Sequence, residues 1–240
     1  MTEKLIKVDI HLHTCLSPCA DISQSPKRVV EKAYEKGLDI IFITDHNTMA
    51  NTEAAIKAAK MYDNIKVYPG MEITTSEEIH TLALFENSAD ARYVQDIINK
   101  NLPDAYYEKE ISEQILANEN DEVEGFYDKS LLSAVDMSID EILELIHKNN
   151  GLAIAAHIDR PSFSIISQFG FIPDNCGFDA LEISPNMNIE SAKEYYKDYC
   201  GKYKFVKGSD SHSLNLIGST YTEICGKENT FAEFRSFIYD

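Results

Sequence analysis

Six of the seven histidines of this 240-residue chain stand beside or near carboxylates in five short segments. These are Asp9-Ile10-His11-Leu12-His13, Thr44-Asp45-His46, Gly70-Met71-Glu72 with His80 following, Ala155-Ala156-His157, and Ser209-Asp210-Ser211-His212. Only His147 falls elsewhere. A single histidine at a strand end is ordinarily a hydrogen-bonded structural residue, but five such segments point to a shared site. Residues two apart in an extended strand face one side, so His11 with His13, and Asp210 with His212, can each offer two donors to one ion. Imidazole and carboxylate without an obvious thiolate set favour zinc, manganese or iron over magnesium, which prefers oxygen and water.

Ligands spread from residue 11 to residue 212 need a fold that gathers strand ends. Short apolar or β-branched runs recur at Ile6 to His11, Asp39 to Thr44, Lys66 to Ile73, His80 to Phe85, Leu152 to Ala156, Ala180 to Ile183, Lys204 to Lys207 and Tyr221 to Ile224, separated by helical patterns. That alternation predicts an α/β fold of parallel strands joined by helices, and in its barrel form all strand ends meet at one face. Ser25, Pro26 and Gly37 bracket a helix over Pro26 to Lys36, with Val29, Val30 and Ala33 on its buried face. Ser138-Ile139-Asp140-Glu141 reads as a capping box opening a second helix, which buries Ile139, Ile142, Leu143 and Ile146 before Gly151. Between residues 86 and 138 the rhythm lapses into a polar, partly helical segment of 53 residues with 13 acidic and 4 basic side chains, a net of −9. This is expected to be a mainly helical acidic insertion, a subdomain or lid, in one domain spanning 1–240. The alternative is a solvated acidic helix pair without a role.

Composition narrows the partners. With 22 basic and 40 acidic residues the formal charge is −18, which repels nucleic-acid phosphates and argues against a duplex partner. No uncharged apolar run approaches the roughly 18 residues needed to span a bilayer. His11 comes too early for a removable signal peptide, so a cytoplasmic protein without a membrane partner is expected. The five cysteines are odd in number and scattered, and reduced thiols are the expectation.

The set His-x-His, Thr-Asp-His, Gly-x-Glu with a later His, Ala-His and Ser-Asp-x-His resembles the PHP family, the polymerase and histidinol phosphatase superfamily of metal-dependent phosphoesterases. Within it the sequence looks most like the bacterial TrpH-type branch. The resemblance implies a distorted (β/α)7 barrel holding two or three divalent transition-metal ions, manganese, iron or zinc. It also implies removal of phosphate from small nucleotides such as nucleoside 3′,5′-bisphosphates, or degradation of short RNA from its 5′ end. Carried over, His11, His13, Glu72 and Asp210 would hold one ion, and Glu72, His80 and His157 a second, with Glu72 as the bridge. A third would take His46, His212 and an acidic residue after the His-x-His pair. The matching segment Leu16-Ser17-Pro18-Cys19-Ala20-Asp21 is about three residues longer than the family pattern. Counting back from Pro26 favours Asp21, and Cys19 competes. Asp45 is either a ligand or the group that orients His46.

Three divalent ions against the carboxylates of Glu72, Asp210 and Asp21 would leave a local charge of about +3, which attracts phosphate even in an acidic chain. Closely spaced ions bridged by a carboxylate suit in-line attack on phosphorus, so phosphate-ester hydrolysis is the expected reaction. Arg160, three residues after His157, offers a planar fork for a substrate phosphate, with a structural ion pair as its alternative. Ser162, Ser184 and Asn186 also follow strand ends and are candidate substrate contacts. Two other readings stand beside this one. The first is a metal-dependent hydrolase of amidohydrolase kind, against which the usual bridging lysine is not evident. The second is a non-enzymatic metal-binding module.

Overall fold

The computed structural model describes residues 2–106 and 113–240. Its strands are β1 (Lys4–Leu12), β2 (Ile40–Ile43), β3 (Lys66–Thr74), β4 (His80–Leu84), β5 (Ile115–Ala117), β6 (Val123–Phe126), β7 (Leu152–Ala155), β8 (Ala180–Glu182), β9 (Lys204–Val206) and β10 (Thr222–Gly226). The helices are α1 (Pro26–Glu35), α2 (Thr52–Ala59), α3 (Ser88–Asn101), α4 (Ile139–Lys148), α5 (Ile165–Phe169), α6 (Ile189–Tyr195) and α7 (Phe231–Tyr239). Every strand except β5 and β6 overlaps an apolar run read from the sequence. Caps fall where their side chains allow. Ser25 accepts from Arg28 N at the start of α1, and Ser138 with Glu141 closes the capping box of α4.

Eight strands form one mixed sheet in the order β10-β1-β2-β3-β4-β7-β8-β9. It curls into a nearly closed barrel, because a parallel bridge joins Leu12 of β1 to Ser211 just past β9, with His13 N donating to Ser211 O at 3.2 Å. Ile6, Val8, Ile10, Phe42, Leu82, Leu84, Leu152, Ile154 and Val206 fill the interior, with Phe231, Phe234 and Ile238 of α7 packed among them. The outer faces of the strands bury against helices, as where Ile41 and Ile43 meet Val29, Val30 and Ala33 of α1.

The expectation of parallel strands requires correction at two places. β4 runs antiparallel to both β3 and β7, and β10 runs antiparallel to β1. Thr74 and His80 are separated by a short turn in which Thr75 N donates to Ile79 O, and a parallel return needs a crossover of a dozen or more residues.

Of the segment 86–138, residues 107–112 lie outside the described residues. The rest comprises α3 and a two-stranded β5–β6 hairpin that its composition did not announce. Asn87 caps α3, whose Ala91, Val94 and Ile98 share the outer core with Phe85 and Ile146. The hairpin lies against the β1–α1 and β2–α2 loops. There Asn51 Nδ2 donates to Ile115 O at 3.1 Å, and Asn51 Oδ1 accepts from Ala117 N at 3.1 Å. Residues just beyond the hairpin reach the strand ends, where Asn47 Nδ2 donates to Leu131 O (2.8 Å) and Val135 N to Thr74 O (2.9 Å).

Candidate metal centre

β1 carries one residue more than β2 between two of their pairings, since Asp9 faces Ile41 and Leu12 faces Ile43. This bulge bends the strand and re-aims its side chains. Ile6, Val8 and Ile10 point into the barrel, whereas Leu12 packs outward on α1. His11 and His13 therefore turn to the barrel mouth, with their Nε2 atoms 3.2 Å apart. Each of these nitrogens lies 3.3–3.4 Å from Glu72 Oε2 and from Asp210 Oδ1. A tetrahedron with metal–ligand bonds of roughly 2.0–2.1 Å has edges of roughly 3.3–3.4 Å, so His11 Nε2, His13 Nε2 and Glu72 Oε2 fit three corners around one divalent ion, and Asp210 Oδ1 lies at the same distance from both imidazoles.

The second oxygen of Glu72 faces a different pair. Oε1 lies 2.7 Å from His80 Nδ1 and 3.2 Å from His157 Nε2. His46 Nδ1 stands 3.2 Å from Glu72 Oε2 and has no hydrogen-bond partner among the described residues. His13, His46 and His212 form a further group whose donor atoms lie within 4.8 Å of one another. Asp210 and His212 converge although Asp210 has a left-handed φ of 46°, so a turn rather than an extended strand brings the pair together.

The electrostatics fit metal uptake. Burial alone would raise Glu72, but His80, His11 and His46 hold its carboxyl well below the usual range. Burial pulls His11 down, yet the carboxylates of Glu182, Asp210 and Glu72 outweigh it and raise that imidazole well above its ordinary value. Burial and neighbouring imidazoles keep His46 well below its ordinary value and bring His212 down to about 4, so both are neutral donors at pH 7.

Surrounding groups fix the imidazoles. Glu182, at the end of β8, receives His11 Nδ1 at 3.0 and 3.1 Å and also accepts from His157 N at 3.0 Å. Because a carboxylate can only accept, His11 keeps a proton on Nδ1, and its Nε2 faces the centre, where an ion takes the lone pair once the Nε2 proton is displaced. The sequence reading missed Glu182, although an acid within the apolar run Ala180 to Ile183 was a signal for it. Asp45 is buried behind the cluster, accepting from Thr14 N, Thr14 Oγ1 and Ser17 Oγ at 2.7 Å each. The Ser17 oxygen, its proton directed to Asp45, lies 3.0 Å from His13 Nδ1, so Asp45 orients His13 through Ser17.

Other residues singled out in the sequence are placed differently. The Asp21 side chain is exposed and accepts from Ser23 N at 2.7 Å, whereas Cys19 lines the cavity with His46, His80 and His212. Arg160 also lines it and pairs with Asp210 Oδ2, the oxygen turned away from His11 and His13. Ser162 is exposed and is absent from the lining. Ser184 is occupied by Asp159, which accepts from its N and Oγ at 2.7 Å each. The cavity measures about 300 Å³, and Leu132 and Phe163 are its large apolar walls.

Metal uptake is expected at two or three ions per chain, measured by elemental analysis after reconstitution with manganese, zinc or iron. Since the raised pKa of His11 leaves it charged at pH 7, the first ion must displace that proton. The ion-free form keeps its His11 stabilisation below about pH 6.5 and loses it as pH rises through the raised pKa, whereas metal affinity grows over the same range by about tenfold per pH unit. A metal-induced rise in Tm no larger at pH 8 than at pH 6 would contradict this, as would less than one ion per chain.

Comparison with known proteins places this geometry in a family. Over 104 residues the chain is 31% identical to the uncharacterized protein MJ1587 of Methanocaldococcus jannaschii, covering 40% of this chain and 60% of that protein. Over 81 residues it is 36% identical to a 5′-3′ exoribonuclease of Haemophilus influenzae, covering 32% of this chain and 28% of that enzyme. The fold resembles that of endonuclease Q from Pyrococcus furiosus, with a TM-score of 0.74 at 19% identity over 98% of this chain and 56% of that one. A structure of endonuclease Q with a 27-mer duplex bearing an abasic lesion superposes with a TM-score of 0.75 at 17% identity, over 98% and 57% of the two chains. The chain thus spans less than two thirds of the length of each relative. The PHP domain model matches residues 9–164, which include His11, His13, His46, Glu72, His80 and His157, and the chain belongs to the PHP domain family.

Proposed function

We propose that the chain is a metal-dependent phosphoesterase acting on small phosphorylated substrates, either nucleotides such as nucleoside 3′,5′-bisphosphates or the 5′ ends of short oligonucleotides. The observation that carries this reading is Glu72, whose two oxygens face two different histidine pairs, His11 with His13 and His80 with His157. Two closely spaced divalent ions, when bound, lower the pKa of water and stabilise both the entering and the leaving oxygen of an in-line displacement. His11, His13, Glu72 and Asp210 would hold one ion, and Glu72, His80 and His157 another, with His46 and His212 available to a third. Glu182 and Asp45 keep imidazole lone pairs aimed at the centre, and Leu132 and Phe163 restrict water around a bound ester. Kinship with an exoribonuclease supports a nucleotide substrate. Among the described residues lining the cavity none is a lysine, which weighs against the amidohydrolase reading.

Arg160 is assigned a phosphoryl oxygen while it braces Asp210. Arg160→Ala should lower kcat/KM by an amount worth about 2 kcal/mol, the scale of a charged hydrogen bond. Metal content measured alongside separates the two roles, since loss of metal without a change in KM would leave only the ion pair with Asp210.

We assign the acidic segment 86–138 as an electrostatic wall. Net charge alone does not exclude a duplex, because endonuclease Q holds one on a similar fold, and the wall is a property of this segment's own charge of −9. Like charge repels a long polyanion more than a mononucleotide, and salt screens the difference. Release of p-nitrophenol from bis-p-nitrophenyl phosphate and p-nitrophenyl phosphate, and of phosphate from adenosine 3′,5′-bisphosphate, with manganese, zinc or iron added, tests the activity. Adding a 30-mer at low and high salt tests the wall. Turnover of the bisphosphate above that of the 30-mer, with a gap that narrows at high salt, is expected. No turnover of any ester with any metal would overturn the phosphoesterase reading, and equal kcat/KM at low salt would overturn the wall.

A further inference from the structure

We propose that the ring of Phe163 is a stacking platform for the nucleobase of the substrate, so that the site prefers nucleoside-bearing phosphoesters over base-free ones. The proposal rests on the phosphoesterase reading above. Phe163 is 41% exposed on the cavity wall, and its ring stacks on His80 at 4.7 Å between centroids and 21° between planes. One face is thus braced against a residue of the centre, and much of the side chain remains accessible. The backbone there has a φ of 57°, a left-handed conformation that a bulky side chain adopts only with strain. Glycine or asparagine would take that conformation more readily, so conformational preference does not account for an aromatic residue at this position.

The conformation is held from several sides. Phe163 O accepts from His80 N at 2.8 Å, and the Ser164 hydroxyl, which caps α5, donates to Arg160 O at 2.8 Å. Arg160 N in turn donates to His157 O at 2.9 Å. One pinned turn therefore presents a guanidinium suited to phosphate and, three residues on, a flat apolar face, the two chemistries that a nucleotide joins in one molecule. Aromatic stacking tolerates every base because each has a π-face, so the preference is for a base as such and not for one base over another.

The chain contains no tryptophan, so Phe163→Trp creates a single indole at the platform, which can be excited at longer wavelength than the 13 tyrosines. In the manganese-loaded protein its emission should be quenched by adenosine 5′-monophosphate and left unchanged by ribose 5-phosphate. Calorimetric titration should show that Phe163→Leu weakens adenosine 5′-monophosphate binding roughly tenfold to a hundredfold, with ribose 5-phosphate unaffected and the tryptophan variant restoring affinity. Equal weakening for both ligands would reduce Phe163 to a support for His80 and overturn the platform, as would unchanged tryptophan emission with the nucleotide bound. The two failures separate cleanly. Phosphate release without a base preference sinks the platform alone, and base-dependent quenching in a protein that cleaves no ester sinks the phosphoesterase reading alone.

Discussion

Glu72→Ala is expected to lower kcat/KM by on the order of a thousandfold or more and to remove at least one ion from the reconstituted protein. Glu72 is 1% exposed and uses both oxygens, with Oε1 beside His80 and His157 and Oε2 beside His11, His13 and His46. The alanine variant loses the shared donor and also a buried negative charge amid imidazoles. Without it His11 loses one of the three carboxylates that raise its pKa. Glu72→Gln preserves the volume and one acceptor oxygen while removing the charge, so it separates packing from electrostatics and should be nearly as inactive. Elemental analysis and steady-state kinetics on both variants check the expectation. Turnover within a few-fold of wild type, with full metal content, would place the centre elsewhere.

Gly208→Ala should both destabilise the fold and damage the centre, although position 208 offers no donor side chain. A Cβ there would lie 2.6 Å from His11 Cβ, 2.9 Å from His11 N and 2.8 Å from Glu182 Oε1. Two of those atoms cannot move without shifting β1, and the third belongs to the carboxylate that orients His11. Overpacking of this kind costs about 1–3 kcal/mol, and a displaced orienting group typically weakens metal binding about tenfold to a hundredfold. Gly37→Ala is the control. Gly37 has a φ of 70° with no atom of the described residues within 4 Å of its Cβ position, so that variant should lose some stability but bind metal normally. Denaturant titration and metal titration report the two effects. Wild-type metal affinity in Gly208→Ala would show that the β1–β8 spacing is not what aligns His11.

What the sequence determined was local. Apolar runs fixed eight strands, Ser25 and Ser138 marked two helix starts, and the recurrence of histidine beside carboxylate marked the strand ends that meet at the barrel mouth. Such features are legible because a strand, a cap or a His-x-His pair is decided by residues a few positions apart. The tertiary structure decided whatever depends on closure. His11 and Glu182 are 171 positions apart, and nothing in either segment announces the other. The bulge that turns His11 and His13 to the mouth is a mismatch between β1 and β2, a property of the pair that neither strand carries alone. β4 is antiparallel because the turn before it is too short for a crossover. The long run of turns between His13 and Pro26 exposes Asp21 and sets Cys19 against the cavity, a placement that counting residues from either end could not settle. Arg160 meets Asp210 for a similar reason, since a barrel brings the ends of β7 and β9 to one face, and electrostatic attraction between a guanidinium and a buried carboxylate does the rest.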